Sequence, residues 1–284
     1  MNKIISIMKN PDKKKLFIIA VIVICLVCIG GVIFAYWSYQ KETEENVVKL
    51  EELAEKVTTQ ATTPEKKEDK TEAKQDEQTE AESQASSQVH VAKHDFEALK
   101  QENKDIYAWI QMPDTEVDYP ILQSEEDNKY LDTNIDGSKG YPGCIYTNVC
   151  NSKAFDDYIT LVYGHNMKSG AMFGTLDYFY EKEFFDSFDT YTVETPEACF
   201  TYSVYAAVNY DDKLIPAYYD VKSSLGRDEF VKSLEACRGN SKTHFNDEVE
   251  ISGEDKLLVL SVCISGQDDR RYLIVSKLEN VQNY

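Results

Sequence analysis

Cys263 lies near the end of the apolar run KLLVLSVCI (256–264), and Arg271, eight positions later, heads RYLIVSKL (271–278). If the two runs are neighbouring strands, the segment between them brings a thiol and a guanidinium to one rim. A thiol beside a cationic group titrates lower than a free one, and the thiolate is the nucleophile. His165 follows the strand-like YITLVYG (158–164) directly. An imidazole just past a strand end is held by the sheet yet open to solvent. There it can give a proton to a departing amine and later take one from an incoming amine. The arginine supplies fixed donors for a substrate carbonyl or a developing oxyanion. Such a Cys–His–Arg set supports acyl transfer through a thioester. Each residue also has a plainer reading. Strand cysteines are more often packing residues than nucleophiles, a lone histidine is more often structural, and Arg270 and Arg271 would serve as solvated charges at a strand start. The residue types alone leave open whether the three meet.

The elements that must position them are short. From about His94 onward, aromatic and β-branched residues become frequent over some 190 residues, enough for one domain with its own core. Phe96, Leu99, Ile106, Trp109 and Ile110 fall near one helical face and predict one helix or two short ones. EVDYPIL, GCIYTNV, YITLVYG, TYTVET, ACFTYSVYAAVNY and the two closing runs read as strands, separated by turn segments such as DGSKGYPG and SGQDD. MFGTLDYF (172–179) and RDEFVKSLEACR (227–238) read as helical interruptions. Many short strands with helices inserted between them predict a mainly β protein with added helices, closed or nearly closed into a barrel.

Residues 16–37, LFIIAVIVICLVCIGGVIFAYW, carry no charge over a length that spans a bilayer as a helix. Five lysines against Asp12 give +4 upstream, so the positive-inside bias puts residues 1–15 in the cytoplasm and everything after the span outside. The run is longer than a signal-peptide core and lacks a clear cleavage site, which favours an uncleaved single-pass anchor. The chain totals −20, leaving −24 (−20 minus +4) beyond the anchor. Such an acidic exterior argues against nucleic acid or an anionic lipid surface as the main partner. Residues 38–93 are rich in Glu, Lys, Thr, Gln and Ala and read as a flexible stalk reaching on the order of 40 Å. NVVKLEELAEKV (46–57) suggests a short helix at its base. The expected organisation is thus a basic segment at 1–15, an anchor at 16–37, a stalk at 38–93 and a catalytic domain at 94–284. Of seven cysteines, five lie beyond the span, an odd number without CxxC or paired zinc-ligand spacing. A Cys144–Cys150 bridge is conceivable beside reduced, buried thiols. His90 and His94 fall at the stalk and His244 has no ligand at metal spacing, so no metal or other cofactor is expected.

With these residues in hand, the sequence resembles class B sortases, the membrane-anchored cysteine transpeptidases of Gram-positive bacteria. YGHNM followed by MFGTL, then LSVC with a downstream RYLIV, are similar to that family's catalytic signature. LKQENKDIYAWIQMPDTEVDYPILQSEEDNKYL is similar to its N-terminal region, so the resemblance covers essentially all of 94–284. It implies the sortase β-barrel with N-terminal helices and a helical insertion before the catalytic-cysteine strand, the insertion falling at 227–238. Carried onto this chain, it implies that Cys263 attacks the carbonyl after a threonine in a C-terminal sorting signal. His165 would serve as acid and then base, and Arg271, rather than Arg270, as substrate and oxyanion holder. The acceptor would be the amine of a peptidoglycan precursor (lipid II). Ser261 matches the family's S-x-C and, with Tyr163, would line the substrate groove. Val262 stands where threonine is usual, Ile264 where an acidic residue is frequent, and the ISGQDDR loop is short, departures that bear on the substrate pocket more than on the chemistry.

Three other readings use the same residues. A surface thiol hydrolase would pass the acyl group to water, although the common cell-wall cysteine hydrolases place cysteine before histidine in the chain. A pilus-polymerising sortase would use a pilin lysine as acceptor. A catalytically inactive scaffold or adhesin would keep an unreactive Cys263.

Overall fold

The computed structural model describes residues 11–61, 91–264 and 266–284, without the side chains of 11–14, 58–61 and 268. Most of the expected basic segment (1–10), the stalk from 62 to 90 with His90, and Ser265 in the turn before Arg271 lie outside the described residues. The chain forms two compact units, Met1–Val48 and Lys49–Tyr284.

Helix α1 (Pro11–Ala61) begins in the first unit. Its most apolar 18-residue stretch has a mean hydropathy of 3.3, and the helix is long and apolar enough to cross a membrane. At 1.5 Å per residue its charge-free 22 residues extend about 33 Å, the thickness of a bilayer's hydrocarbon core. In the second unit, the last turns of the same helix pack. Leu53 and Val57 share a core with Phe96, Leu99, Trp109 and Tyr130. Lys49 pairs with Asp136 (2.8 Å) and Lys56 with Glu102 (2.9 Å). The segment expected at the stalk base is therefore helical, and its 49–57 portion lies against the barrel.

Helix α2 (Phe96–Glu102) starts where the Asp95 carboxylate accepts the backbone N–H groups of Glu97 and Ala98. It is shorter than the apolar spacing predicts. The chain turns extended at Asn103, and Ile106–Gln111 is strand β1 rather than more helix. Every residue from Ile106 to Ile110 is buried. That continuous run suits a strand covered on both faces and not a one-faced helix.

The other strands are β2 (Asp118–Leu122), β3 (Ile145–Tyr146), β4 (Ile159–Tyr163), β5 (Thr190–Glu194), β6 (Ala198–Asp211), β7 (His244–Phe245), β8 (Leu257–Ile264) and β9 (Gln267–Asn283). Hydrogen bonding runs in the order β5-β1-β2-β3-β4-β8-β9-β6, and β6 pairs back onto β5, closing an eight-stranded barrel with β7 added beside β6. Closure leaves no free edge within the ring. The β7 pair escaped the sequence reading because two residues carry no periodicity. MFGTLDYF contributes to a 3-10 helix (Gly174–Tyr180), followed by helix α3 (Lys182–Ser187).

Between β6 and β7 the chain inserts helices α4 (Ile215–Tyr218) and α5 (Ser224–Glu235). Phe230 and Leu234 of α5 pack on Leu161 of β4, Leu257 and Val259 of β8, and Leu273 and Val275 of β9. Burying each such side chain contributes roughly 2 kcal/mol. Arg227, also on α5, is buried and donates to the carbonyls of Gly253 (3.0 Å) and Asp255 (2.6 Å), just before β8. The insertion thus holds one face of β4, β8 and β9. With the two-residue alternation of strands, that same face carries Tyr163, Ser261, Cys263 and Arg271.

Candidate active site

In the β8–β9 ladder Cys263 lies opposite Arg271. Residues facing each other in an antiparallel pair have Cβ atoms about 5 Å apart on one side of the sheet. Immediately beyond, the ladder slips. β8 advances one residue to Ile264 while β9 steps back four to Gln267. The adjacent Arg270 pairs in register with Asp211 of β6 and leaves its strand on the opposite side. Arg271 Nη1 donates to the Arg270 carbonyl at 2.9 Å.

β4 delivers the histidine. It runs parallel to β8, with Tyr163 in register with Ser261, and the Gly164 N–H reaches the Ser261 carbonyl at 3.4 Å. A Cβ at Gly164 would lie 2.4 Å from Ile145 Cδ1 and 2.7 Å from Phe173 Cδ2, so the glycine makes room for these two side chains. His165 then leaves the sheet, its carbonyl accepting the Phe173 N–H at 3.0 Å. Its Nε2 is 2.7 Å from the Leu131 carbonyl, and its ring stacks at a tilt on Tyr141, centroids 4.5 Å apart. A carbonyl only accepts, so Nε2 carries a proton and the neutral ring keeps its basic lone pair on Nδ1. Burial lowers the His165 pKa below the ordinary imidazole value, with the Leu131 bond pulling partly back.

Cys263, His165, Arg271, Ser261 and Tyr163 all line one cleft of about 220 Å³, which Asp211–Ile215 at the start of the helical insertion completes. Ser261 is buried, and the buried Tyr163 hydroxyl has no hydrogen-bond partner among the described residues. Val262 is buried on the opposite face and does not line the cleft. Cys263 is exposed, whereas Cys144, Cys150, Cys199 and Cys237 are buried or half-buried, and burial raises the pKa of each of those four thiols. Cys144 and Cys150 are both free.

Two contributors were not singled out in the sequence. Asn166 Nδ2 donates to Asp177 Oδ1 (3.0 Å) and to the Cys263 carbonyl (3.3 Å), tying the histidine loop to the end of β8. Its place directly after the histidine in YGHNM was the available signal. Leu131 acts through its backbone, which no side-chain pattern reveals. His94 and His244 are engaged elsewhere. His94 is buried against Glu194 and stacked on Trp109, and His244 Nε2 meets the Tyr180 carbonyl at 2.9 Å.

No family model matches the chain. Among characterised proteins, sortase B of Listeria monocytogenes is 30% identical over 176 residues, covering 62% of this chain and 70% of its own. A class B sortase of Streptococcus pyogenes involved in pilus biogenesis superposes with a TM-score of 0.55 at 25% identity, over 65% of this chain and 97% of that one. Sortase B from B. anthracis gives a TM-score of 0.60 at 24% identity, over 87% and 98% of the two chains. Sequence relationship and barrel agree: this chain belongs to the sortase B family of cysteine transpeptidases.

Proposed function

We propose that Cys263 is the nucleophile of this transpeptidase, with His165 as acid and base and Arg271 as the holder of substrate carbonyl and oxyanion. The observation that carries the assignment is the shared cleft, in which the one exposed thiol among the described residues of the barrel unit stands across the ladder from Arg271 and lines the same walls as His165. Cys263 Sγ attacks the carbonyl after threonine in a C-terminal sorting signal. The thiol proton passes to Nδ1 of His165 as Sγ attacks, the C–N bond breaks, the departing amine takes that proton from His165, and a thioester remains. Arg271 stabilises the negative oxygen in the tetrahedral state, where a preorganised donor has most effect. Ser261 and Tyr163 form part of the wall for the acyl half. An amine of the peptidoglycan precursor lipid II then discharges the thioester. Residues 16–37 anchor the enzyme as a single pass with residues 1–15 in the cytoplasm and 94–284 on the outer side.

The test is intact-protein mass spectrometry of the full chain in detergent with a panel of threonine-containing sorting peptides, with and without an amine. A mass adduct on Cys263 that an amine discharges supports the assignment, and Cys263→Ala must lose it. Wild-type turnover by Cys263→Ala ends the assignment. A second acceptor reading is favoured by the S. pyogenes neighbour, whose role is in pilus biogenesis. Discharge by a pilin lysine amine in preference to a wall-precursor amine would select it.

A further inference from the structure

The loop 130–144 has two separate attachments, and one of them is to His165. Leu131 offers its carbonyl to Nε2 at 2.7 Å, and the Tyr141 ring lies against the imidazole, centroids 4.5 Å apart. The loop is also braced within itself. The Cys144 N–H reaches the Tyr130 carbonyl (2.9 Å) and closes the neck, Thr133 bridges Lys139, and Asn134 Oδ1 accepts the Gly143 N–H (3.0 Å). A loop braced in this way moves as a body, so what it packs against decides where it sits.

The other attachment is to the last turns of α1. Leu53 and Val57 share a core with Tyr130 and Cys144 at the neck, and Ile135, inside the loop, packs on that core. At the tip, Lys49 Nζ donates to Asp136 Oδ2 at 2.8 Å. Lys49, together with the N–H and hydroxyl of Ser138, holds the Asp136 carboxyl down at about 2. Asn103, at the end of α2, adds a tie to the Ile135 carbonyl (2.9 Å). The ring of strands closes without α1. Its turns at 49–57 therefore bear on the place of the loop more than on closure of the barrel.

We propose that the 49–57 turns of α1 are a positioning element for the reaction: seated on the 130–144 loop, they keep the Leu131 carbonyl and the Tyr141 ring against His165. The inference rests on His165 being the acid and base. The Leu131 bond selects the Nε2–H tautomer, which leaves the Nδ1 lone pair free to take a proton. The Tyr141 ring limits rotation of the imidazole. When these turns lift off, the loop relaxes, the tautomer is no longer fixed, and fewer chains hold the base in its working geometry. Leu53 and Val57, both buried, supply most of the seating. The half-exposed Lys49–Asp136 pair contributes less and fixes the tip of the loop.

The experiment uses the full chain in detergent with ¹⁵N-labelled histidine, and His165→Gln identifies the ring signals of His165. Lys49→Glu sets like charges together at Asp136 and should slow adduct formation on Cys263 about threefold, the scale of a half-exposed pair. Lys49→Arg keeps the pair and should keep the wild-type rate. The double change Leu53→Ala with Val57→Ala should slow the adduct about tenfold, the scale of a small misplacement of a reacting group. In Lys49→Glu and in the double variant the Nε2–H signal of His165 should weaken, while that of His244, held by the Tyr180 carbonyl, stays. A general loss of stability would not single out one ring. If either the rate or the His165 signal stays at its wild-type value in both variants, the positioning role is overturned while the nucleophile assignment stands. Should the double variant fail to fold, Lys49→Glu alone decides. If the wild-type chain forms no adduct on Cys263 with any peptide, the nucleophile assignment falls, and the His165 signal alone decides the positioning role.

Discussion

Arg271 stands opposite Cys263 at the last regular step of the β8–β9 ladder, and Arg270 belongs to the other side of the same strand. Under the proposed assignment, strand alternation therefore selects Arg271 over Arg270. Arg271→Ala should slow adduct formation on Cys263 about 100-fold, the scale of losing one preorganised oxyanion donor. Arg270→Ala should stay within about threefold of wild type. Stopped-time mass spectrometry of the adduct measures both, and a larger loss in Arg270→Ala would refute the register argument.

Asn166 bridges Asp177 and the backbone of Cys263. Asn166→Ala removes both bonds and lets the end of β8 relax. The expected result is roughly a tenfold fall in acylation rate, since small misplacements of reacting groups are costly, with thermal stability lowered by about 1 kcal/mol. Asn166→Asp keeps the size but sets two carboxylates together and should do worse than alanine.

The Leu131 carbonyl fixes the His165 tautomer, and Gly143 allows it. Gly143 has φ +66°, and a Cβ there would come within 2.5 Å of the Tyr130 carbonyl oxygen and 2.8 Å of that of Leu131. Gly143→Ala should weaken the Nε2–H signature in ¹⁵N NMR and slow turnover together. In the wild type the ring should titrate below 6.5, because burial lowers the pKa. The sign for stability follows. Below 6.5 the unfolded imidazole takes up a proton that the folded one resists, so this group's contribution falls as the pH drops.

Away from the cleft, Glu194 of β5 accepts from the Lys93 N–H (2.6 Å), from Tyr284 (2.5 Å) and from the ring of His94. Burial alone would raise its pKa, but the bonds from His94, Tyr284 and Lys93 outweigh it and the net shift is downward. A depressed carboxyl stabilises the fold above the unfolded value and loses that contribution as the pH falls through the folded one. His94→Ala leaves a buried carboxylate without its main partner and should cost about 3 kcal/mol, or roughly 10 °C in Tm. Calorimetry measures this, and acylation of Cys263 should be little changed.

The candidate site was legible because the proposed chemistry depends on side-chain types at strand ends, and the strands announce themselves by their apolar runs. Cys263, His165 and Arg271 were read from such runs, Ser261 and Tyr163 from the family resemblance, and all five line one cleft. Most strands could be read in the same way. Ile106–Gln111 misled because five consecutive buried residues fit a helical template as well as a strand, and only the Asn103 turn separates them. Backbone partners such as the Leu131 carbonyl, and polar locks such as His94–Glu194, depend on distant segments meeting. No local pattern encodes them.

The ladder that joins Cys263 to Arg271 is a hairpin, its partners eight residues apart, whereas His165 reaches the same cleft through a parallel pairing across nearly 100 residues. Local pairs close early in folding and distant ones late, because long loops lose more entropy on closing. Cys263 and Arg271 thus come together before His165 arrives. During refolding, reactivity of Cys263 toward a simple alkylating agent should settle before transpeptidation does, and the interval between the two measures how long the nascent enzyme holds Cys263 and Arg271 without His165.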